Sequence, residues 1–398
     1  MSDALNASVG WSASPDAAQA GREAGERALQ RLVPRRPKVA IVFGSSWFDQ
    51  SALLQGLRSA LGPVPVAGLS TAGEITPEGP VSHHCVVLLL AADRLACTVG
   101  ASDGVERDAR DAGQHAAYAA MQEWPAGAAR VGMLFFGDGL LTSYADVIRG
   151  MQEVLGTSSL IVGALAGDDL RFSRTYQYDH HQVISRGVVG VLLGGAVKIG
   201  VGIEHGFAPI SKPHRITKAH GTTLYEIDGR KAAAVYEEYF GPEVIGRMRR
   251  EGLSRQKIAY PLGIQRHQEA PWLLRNVVSF GTDGSLGCTG EVFEDSALHV
   301  MIGSRELALE AAREAARQAV RGLNHVAAVL VFDSAVRRTL LGPQQAAEEL
   351  RQVQHIIGNT TALAGCYTYG EQAPVESASA YERTMVQTGS VLVVALGT

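Results

Sequence analysis

Cysteine is scarce in this chain. There are four in 398 residues, Cys85, Cys97, Cys288 and Cys366, and none falls in a C-x-x-C spacing. So sparse a set excludes a disulfide framework and a cysteine-based zinc site, and it suits a reducing compartment. A surplus of charge is missing too, with 36 basic residues against 40 acidic ones and a pI near 6.3. A nucleic-acid-binding surface needs a basic stripe that this balance does not supply. Long apolar runs are equally lacking. The longest, Val188 to Ile203, is broken by Gly194-Gly195 and by Lys198, short of the roughly 20 apolar residues that a membrane-spanning helix requires. It reads as a β-hairpin turning at the two glycines. Residues 1–37 hold no apolar stretch and carry Asp3, Asp16, Glu23 and Glu26, so no signal peptide is expected and the segment reads as a flexible leader. These absences predict a cytoplasmic protein that neither inserts into a membrane nor binds nucleic acid.

What the chain has in quantity is apolar residues, 46% of a length that exceeds one compact core, so two domains are expected. From Lys38 onward it repeats itself. Val39–Phe43 reads as a strand, followed by a helix to Leu61 and by Val64 to Glu74, which ends in a glycine-rich turn. A second copy runs from Val131–Phe136 through a helix to Leu155 and closes at Gly163-Ala164-Leu165-Ala166-Gly167-Asp168. A third opens at Val326–Phe332 and closes at Ala364-Gly365-Cys366-Tyr367-Thr368-Tyr369-Gly370-Glu371. The first and third turns share Ala-Gly-x-x-Thr-x-Gly-Glu position by position, and each of the three is followed by a further apolar strand. The pattern predicts a pseudo-symmetric, two-lobed α/β protein with mixed sheets flanked by helices, built from repeated strand-helix-strand units. Residues 231–240 and 305–321 read as helices, the latter capped by Ser304, and residues 277 to 288 as a hairpin. A domain boundary is placed near residue 230, giving units 38–230 and 231–398.

The motifs Phe43-Gly44-Ser45-Ser46, Ser70-Thr71-Ala72-Gly73-Glu74-Ile75, Gly163 to Asp168, His205-Gly206-Phe207-Ala208-Pro209-Ile210, Ile227-Asp228-Gly229 and Cys366 to Glu371 together resemble the FIST family, with its FIST N and FIST C regions. Their order and spacing carry the resemblance over roughly residues 38–396. It implies a bacterial signal-transduction sensor for a small ligand such as an amino acid. One bacterial branch of the family binds haem, senses nitric oxide and regulates histidine kinases. Where the family turn commonly reads Gly-Cys-Ser-Thr, Leu69 replaces the cysteine, so thiol chemistry there is lost. No output module is expected after the sensory region, so the sensor must act on a separate partner.

The turns themselves are the candidate ligand site. Gly73 permits close backbone approach, Ser70, Thr71 and Thr368 offer hydroxyls, and Glu74, Asp168 and Glu371 offer carboxylates that could hold an ammonium group. Tyr367 and Tyr369 could wall such a pocket. The alternative, that glycines make tight turns and acids anchor their neighbours, stays open at every one of these positions. For haem, a single axial histidine leaves little trace in a sequence. His205 and His181 flank the apolar 188–203 stretch and are the candidate ligands. His83-His84 and His180-His181 would point to opposite faces of a strand and could chelate one metal only where the backbone is irregular. No enzyme is expected. Gly68 to Gly73 is one residue too long for a nucleophile elbow. Gly137-Asp138-Gly139 begins like a dinucleotide fingerprint but has Thr142 where its third glycine belongs.

Overall fold

The computed structural model describes residues 4–250, 260–268, 270–374 and 384–398. The first repeat comprises β1 (Asn6–Ser12), α1 (Ala17–Leu32), β2 (Val39–Ser45), α2 (Gln50–Leu61), β3 (Val66–Thr71), a hairpin of β4 (Glu74–Thr76) and β5 (Gly79–Val81), and β6 (Cys85–Ala91). The second runs through β7 (Leu95–Ser102), α3 (Ala109–Gln122), β8 (Arg130–Gly137), α4 (Tyr144–Leu155), β9 (Leu160–Leu165), a hairpin of β10 (Gln177–Tyr178) and β11 (Val183–Ile184), and β12 (Val188–Gly195). The third opens with β13 (Lys198–Glu204) and is interrupted by an inserted unit, β14 (Phe207–Pro209) to β22 (Ala297–Gly303) around α5 (Ala232–Arg250). It resumes with α6 (Arg305–Val320), β23 (Val326–Ser334), α7 (Ala335–Ile357), β24 (Ala362–Thr368), a hairpin of β25 (Gly370–Pro374) and β26 (Thr384–Gln387), and β27 (Val391–Gly397).

The three repeats build three sheets of one plan: β1-β6-β2-β3-β10-β11, β7-β12-β8-β9-β25-β26 and β13-β27-β23-β24-β4-β5. In each, the second and third strands of the repeat pair in parallel, and the sheet is completed by a hairpin from another repeat. The first repeat's hairpin joins the third sheet, the second's joins the first, and the third's joins the second. The mixed α/β class and the strand-helix-strand repeats agree with the sequence. The exchange of hairpins does not show in it.

Inward faces of all three sheets merge into one core. At its centre Phe43, Phe136 and Phe332 hold equivalent register positions, with ring centroids 5.8 Å apart for Phe43 and Phe332 and 6.3 Å for Phe136 and Phe332. Burying each such ring contributes ~1.5–3 kcal/mol relative to exposure. The glycine shared by all three turns has a steric cause. A Cβ on Gly68, Gly163 or Gly365 would lie 1.9–2.0 Å from the carbonyl oxygen of Val42, Phe135 or Val331 on the neighbouring parallel strand.

Helix pairs cover the outer faces, and the first helix of each pair buries a stripe of small residues. In α1 these are Ala20, Gly21, Ala24, Gly25 and Ala28, in α3 Ala112, Gly113, Ala116, Ala117 and Ala120, and in α6 Ala308, Ala311, Ala312, Ala315, Ala316 and Ala319. This corrects the expectation of a leader. Residues 6–12 pair with β6 along seven positions, and α1 packs so closely on α2 that a Cβ on Gly56 would lie 1.9 Å from the Ala18 carbonyl. A face of alanine and glycine buries little apolar area per residue, so hydropathy passes over it. Backbone-to-backbone approach is what it permits.

The hairpin expected at Gly194-Gly195 is also absent. β12 pairs with β7 and β8, whereas β13 pairs with β27, so the turn carries the chain from the second sheet to the third. The 277–288 hairpin and the Ser304-capped helix form as the sequence predicts. Strands from both sides of residue 230 share two of the three sheets. No helix among the described residues is long and apolar enough to cross a membrane.

Candidate functional site

The turn carboxylates are the natural place to start. Glu74 is fully buried, accepts from the Thr71 hydroxyl, and takes the His84 backbone N–H at 2.9 Å. Glu371 repeats the arrangement. Its Oε1 accepts from Thr368, and its Oε2 accepts from the Ser390 hydroxyl at 2.6 Å and the Ser390 N–H at 3.3 Å. Burial pushes both carboxyls up to about 8, against the pull of these hydrogen bonds. Neither lines the groove or the cavity described below. Thr71 is sealed with Glu74, and Gly73 lies beneath Arg338, whose guanidinium donates to the Ala72 carbonyl. Tyr367 is buried under the same guanidinium at 4.6 Å. These five residues anchor turns, so the ammonium-holding role expected for Glu74 and Glu371 is not available to them.

The second repeat departs from this scheme, and it departs where a groove opens. By register the counterpart of Glu74 and Glu371 is Gln177, because Gln177 opposes Leu69 just as Glu74 opposes Cys366 and Glu371 opposes Ala164. Its Oε1 accepts the N–H of Gly187 at 3.2 Å. Gly187 precedes the repeat's last strand, as His84 and Ser390 precede theirs. Asp168, expected to match the two glutamates, instead opens a loop inserted before Gln177. It accepts from the backbone N–H groups of Phe172, Ser173 and Arg174 at 2.7–2.9 Å and from the Tyr369 hydroxyl. That hydroxyl in turn takes the Leu170 N–H at 2.8 Å, and the Tyr369 ring stacks on Phe172 with centroids 4.9 Å apart. Asp169, Leu170 and Phe172 all have φ between 52° and 61°. Left-handed backbone at three non-glycine residues is costly and persists only when its surroundings hold it. Asp168 and Tyr369 do the holding. Ser70 fixes the base of the loop, donating to the Gly167 carbonyl at 2.8 Å and accepting from the Tyr176 N–H at 2.9 Å.

The loop forms one wall of a 270 Å³ groove between the second repeat, the third repeat and the inserted unit. Leu140, Leu141, Leu165, Leu170 and Phe172 give it an apolar side, and Ser334, Ala335, Val336, Thr368 and Tyr369 face them. Asn276 and Thr289 enter from the inserted unit. No described lining side chain carries a charge. Asn276 is 4% exposed, and its Oδ1 has no hydrogen-bond partner. Its backbone is held by Thr289 on both sides, its N–H donating to the Thr289 hydroxyl at 3.0 Å and its carbonyl accepting the Thr289 N–H at 3.1 Å. Of the residues nominated from sequence, Thr368 and Tyr369 line the groove and Asp168 and Ser70 support its wall. Sequence reading missed Leu140, Phe172, Asn276 and Ser334. One signal was visible for the 139–142 segment, the Gly137-Asp138-Gly139 run. Asp138 fixes that bend by accepting from Leu140 N at 2.8 Å and Arg186 N at 3.0 Å.

A second cavity of 70 Å³ meets the groove along Leu141, Thr142, Leu165 and Thr289. Arg149, Gln152, Arg266, Arg275 and Glu291 line it.

Haem does not fit the two nominated histidines. Burial, then the nearby Arg337 charge, lowers His205 to about 4. Its Nδ1 accepts the Phe207 N–H at 3.0 Å, which leaves the ring's one proton on Nε2, the atom an axial ligand would present. His181 is exposed beside His180. Neither lines the groove or the cavity beside it. Among the described residues, no group of three or more His, Cys, Asp or Glu converges as a metal site. Burial raises all four thiols, Cys97 to about 11, so none is a ready nucleophile.

Comparison with known proteins gives a consistent picture. An uncharacterised protein of Mycobacterium bovis is 24% identical over 394 residues, covering 94% of this chain and 95% of its own. An uncharacterised protein of Methanocaldococcus jannaschii is 27% identical over 227 residues, 55% of this chain, and the chain spans 43% of that relative's length. Among solved structures, cyanuric acid hydrolase from A. caulinodans aligns over 99% of this chain and 100% of its own at 13% identity. Its TM-score is 0.35, too low to bear on function. The FIST N domain matches residues 38–230 and the FIST C domain residues 232–374, and the chain belongs to the FIST family.

Proposed function

We propose that this protein is a small-ligand-binding sensor rather than an enzyme, with its ligand in the groove between the second and third repeats, and that a separate signalling protein reads the bound state. FIST domains are associated with signal-transduction sensing, which sets the general role. The observation that carries the reading is the Asn276 side chain, whose buried Oδ1 has no partner, in the lining of a groove whose wall is held in strained backbone. An unmet buried polar atom costs about 1–3 kcal/mol, a cost that a donor on a ligand removes. The uncharged lining suits an apolar, uncharged ligand body. Support for binding over catalysis comes from the hydroxyls present. Ser334 accepts the Gly389 N–H at 3.1 Å and Thr368 donates to Glu371, and neither has a histidine or lysine base as a partner among the described residues.

Asn276→Leu tests this. The substitution keeps the volume and removes the orphaned acceptor, so the melting temperature of the unliganded protein should hold or rise. The stabilisation that wild type gains from a panel of small metabolites should fall by about tenfold in affinity or more. A loss of intrinsic stability with an unchanged ligand response would overturn the groove as the site.

A further inference from the structure

The 70 Å³ cavity beside the groove holds two features that the fold does not explain. Gln152 is 1% exposed, and neither its Oε1 nor its Nε2 has a partner. It sits on the face of α4 that presents Ala145, Ile148 and Arg149 to the same cavity. In the same lining, Arg275 is 2% exposed and, among the described residues, donates to backbone carbonyls, those of Glu291 at 2.8 Å, Leu274 at 2.9 Å and Val386 at 3.2 Å. It forms no ion pair with a carboxylate among the described residues. Arg149 in the same lining is already neutralised, by Glu291 through two bonds of 2.9 Å and by Asp146. Buried charges are ordinarily paired, because desolvation without a counter-charge is costly. An unneutralised guanidinium and an unengaged amide donor in the lining of one cavity together suit an anion. At ~10–15 Å³ for each water-sized centre, the space admits a carboxylate group but not a whole ligand.

We propose that Arg275 and Gln152 form the anion end of the groove, and that the ligand is a small monocarboxylate whose uncharged apolar body lies against Phe172 and Tyr369. The inference rests on the reading of the groove as the ligand site, and it narrows the ligand class. An α-amino acid fits less well. Its ammonium would sit next to the carboxylate, among Arg275 and Arg149, where the lining carboxylate Glu291 is held by Arg149. The turn glutamates that might have met it are sealed elsewhere.

Three compounds of one body and different heads separate the possibilities: 3-phenylpropionate, 3-phenylpropionamide and phenylalanine, with acetate as a head without a body. Affinities for the full chain are read by thermal shift and calorimetry. The carboxylate should bind about tenfold or more tighter than the amide or the amino acid, and Gln152→Leu, which removes a donor to the bound head, should weaken carboxylate binding by about tenfold. Gln152→Leu discards only unpartnered polar atoms, so it should fold. Arg275→Met strips donors from three carbonyls and serves as a second variant, judged only where it folds. Equal binding of carboxylate and amide, tighter binding of phenylalanine, or a carboxylate affinity indifferent to Gln152→Leu would overturn the anion end and leave the groove intact. Acetate binding that depends on Gln152, with no response to any phenyl compound, would remove the groove reading and this ligand class with it. Silence from all four compounds would also reject the ligand class.

Discussion

The first and third repeats close their turns in four residues, Thr71 to Glu74 and Thr368 to Glu371, whereas the second takes twelve, from Ala166 to Gln177. All three close on a side chain that accepts the backbone N–H preceding the last strand. What the copies share is therefore what a sheet needs to receive a neighbour's hairpin. What the second copy adds, the strained loop from Asp168 to Tyr176, builds the groove. Agreement between copies marks the scaffold, and the disagreement marks the place where a ligand has room.

The shared part should be the most fragile. Gly68→Ala, Gly163→Ala and Gly365→Ala each drive a methyl into a carbonyl of the adjacent strand. Each should cost about 3 kcal/mol, at the upper end of overpacking effects, read as a fall in the urea midpoint. Tolerance of Gly163→Ala alone would break the equivalence of the second repeat with the other two. Tyr369→Phe acts on the part that differs. It removes the hydroxyl bridging Asp168 and Leu170, so stability should fall by about 1–2 kcal/mol and ligand response should weaken as the loop loosens. An unchanged response would mean that the loop keeps its shape without Tyr369.

The smallest effect is expected at the glutamates. Gln177 already fills their position in the second repeat, and burial raises both carboxyls to about 8, so a neutral head is the form that fits. A carboxyl with its folded pKa above its unfolded one contributes stability that is complete below about pH 4.5 and is lost as pH rises through about 8. Glu74→Gln and Glu371→Gln should therefore each cost less than about 1 kcal/mol at pH 7. The double variant should flatten the decline in stability that wild type shows over that window. A steep loss at pH 7 would mean that the charged forms are the ones accommodated.

How much of this was legible beforehand follows from what each feature is made of. The repeated Ala-Gly-x-x-Thr-x-Gly-Glu turns and their flanking apolar strands are written in residue type, and they locate the three strand-helix-strand units and their closing turns. Residues 1–37 were misjudged because the Ala20, Ala24, Ala28 stripe hides its packing from hydropathy. The 188–203 stretch was misjudged because a glycine turn between strands looks the same whether they pair or part. Asp168 was set beside the glutamates because both follow a glycine, and only register shows that Gln177 is their counterpart. Arg275 and Asn276 are neighbours in sequence but far from Gln152, and nothing local distinguishes any of the three. Their significance lies in missing partners, a property of three-dimensional neighbours.

The cyclic trade of hairpins has a consequence for how the molecule can be divided. Three separate chains, each carrying one repeat, could complete their sheets only as a hairpin-swapped trimer, and the single polypeptide has that arrangement already fused. A fragment ending near residue 230 would keep β9 without β25, β13 without β27 and the β4–β5 hairpin without β24. Each bare edge is a template for another chain. The FIST N region expressed alone would thus meet its missing strands in other copies of itself, and would gather into oligomers or aggregates where the intact chain closes on its own edges.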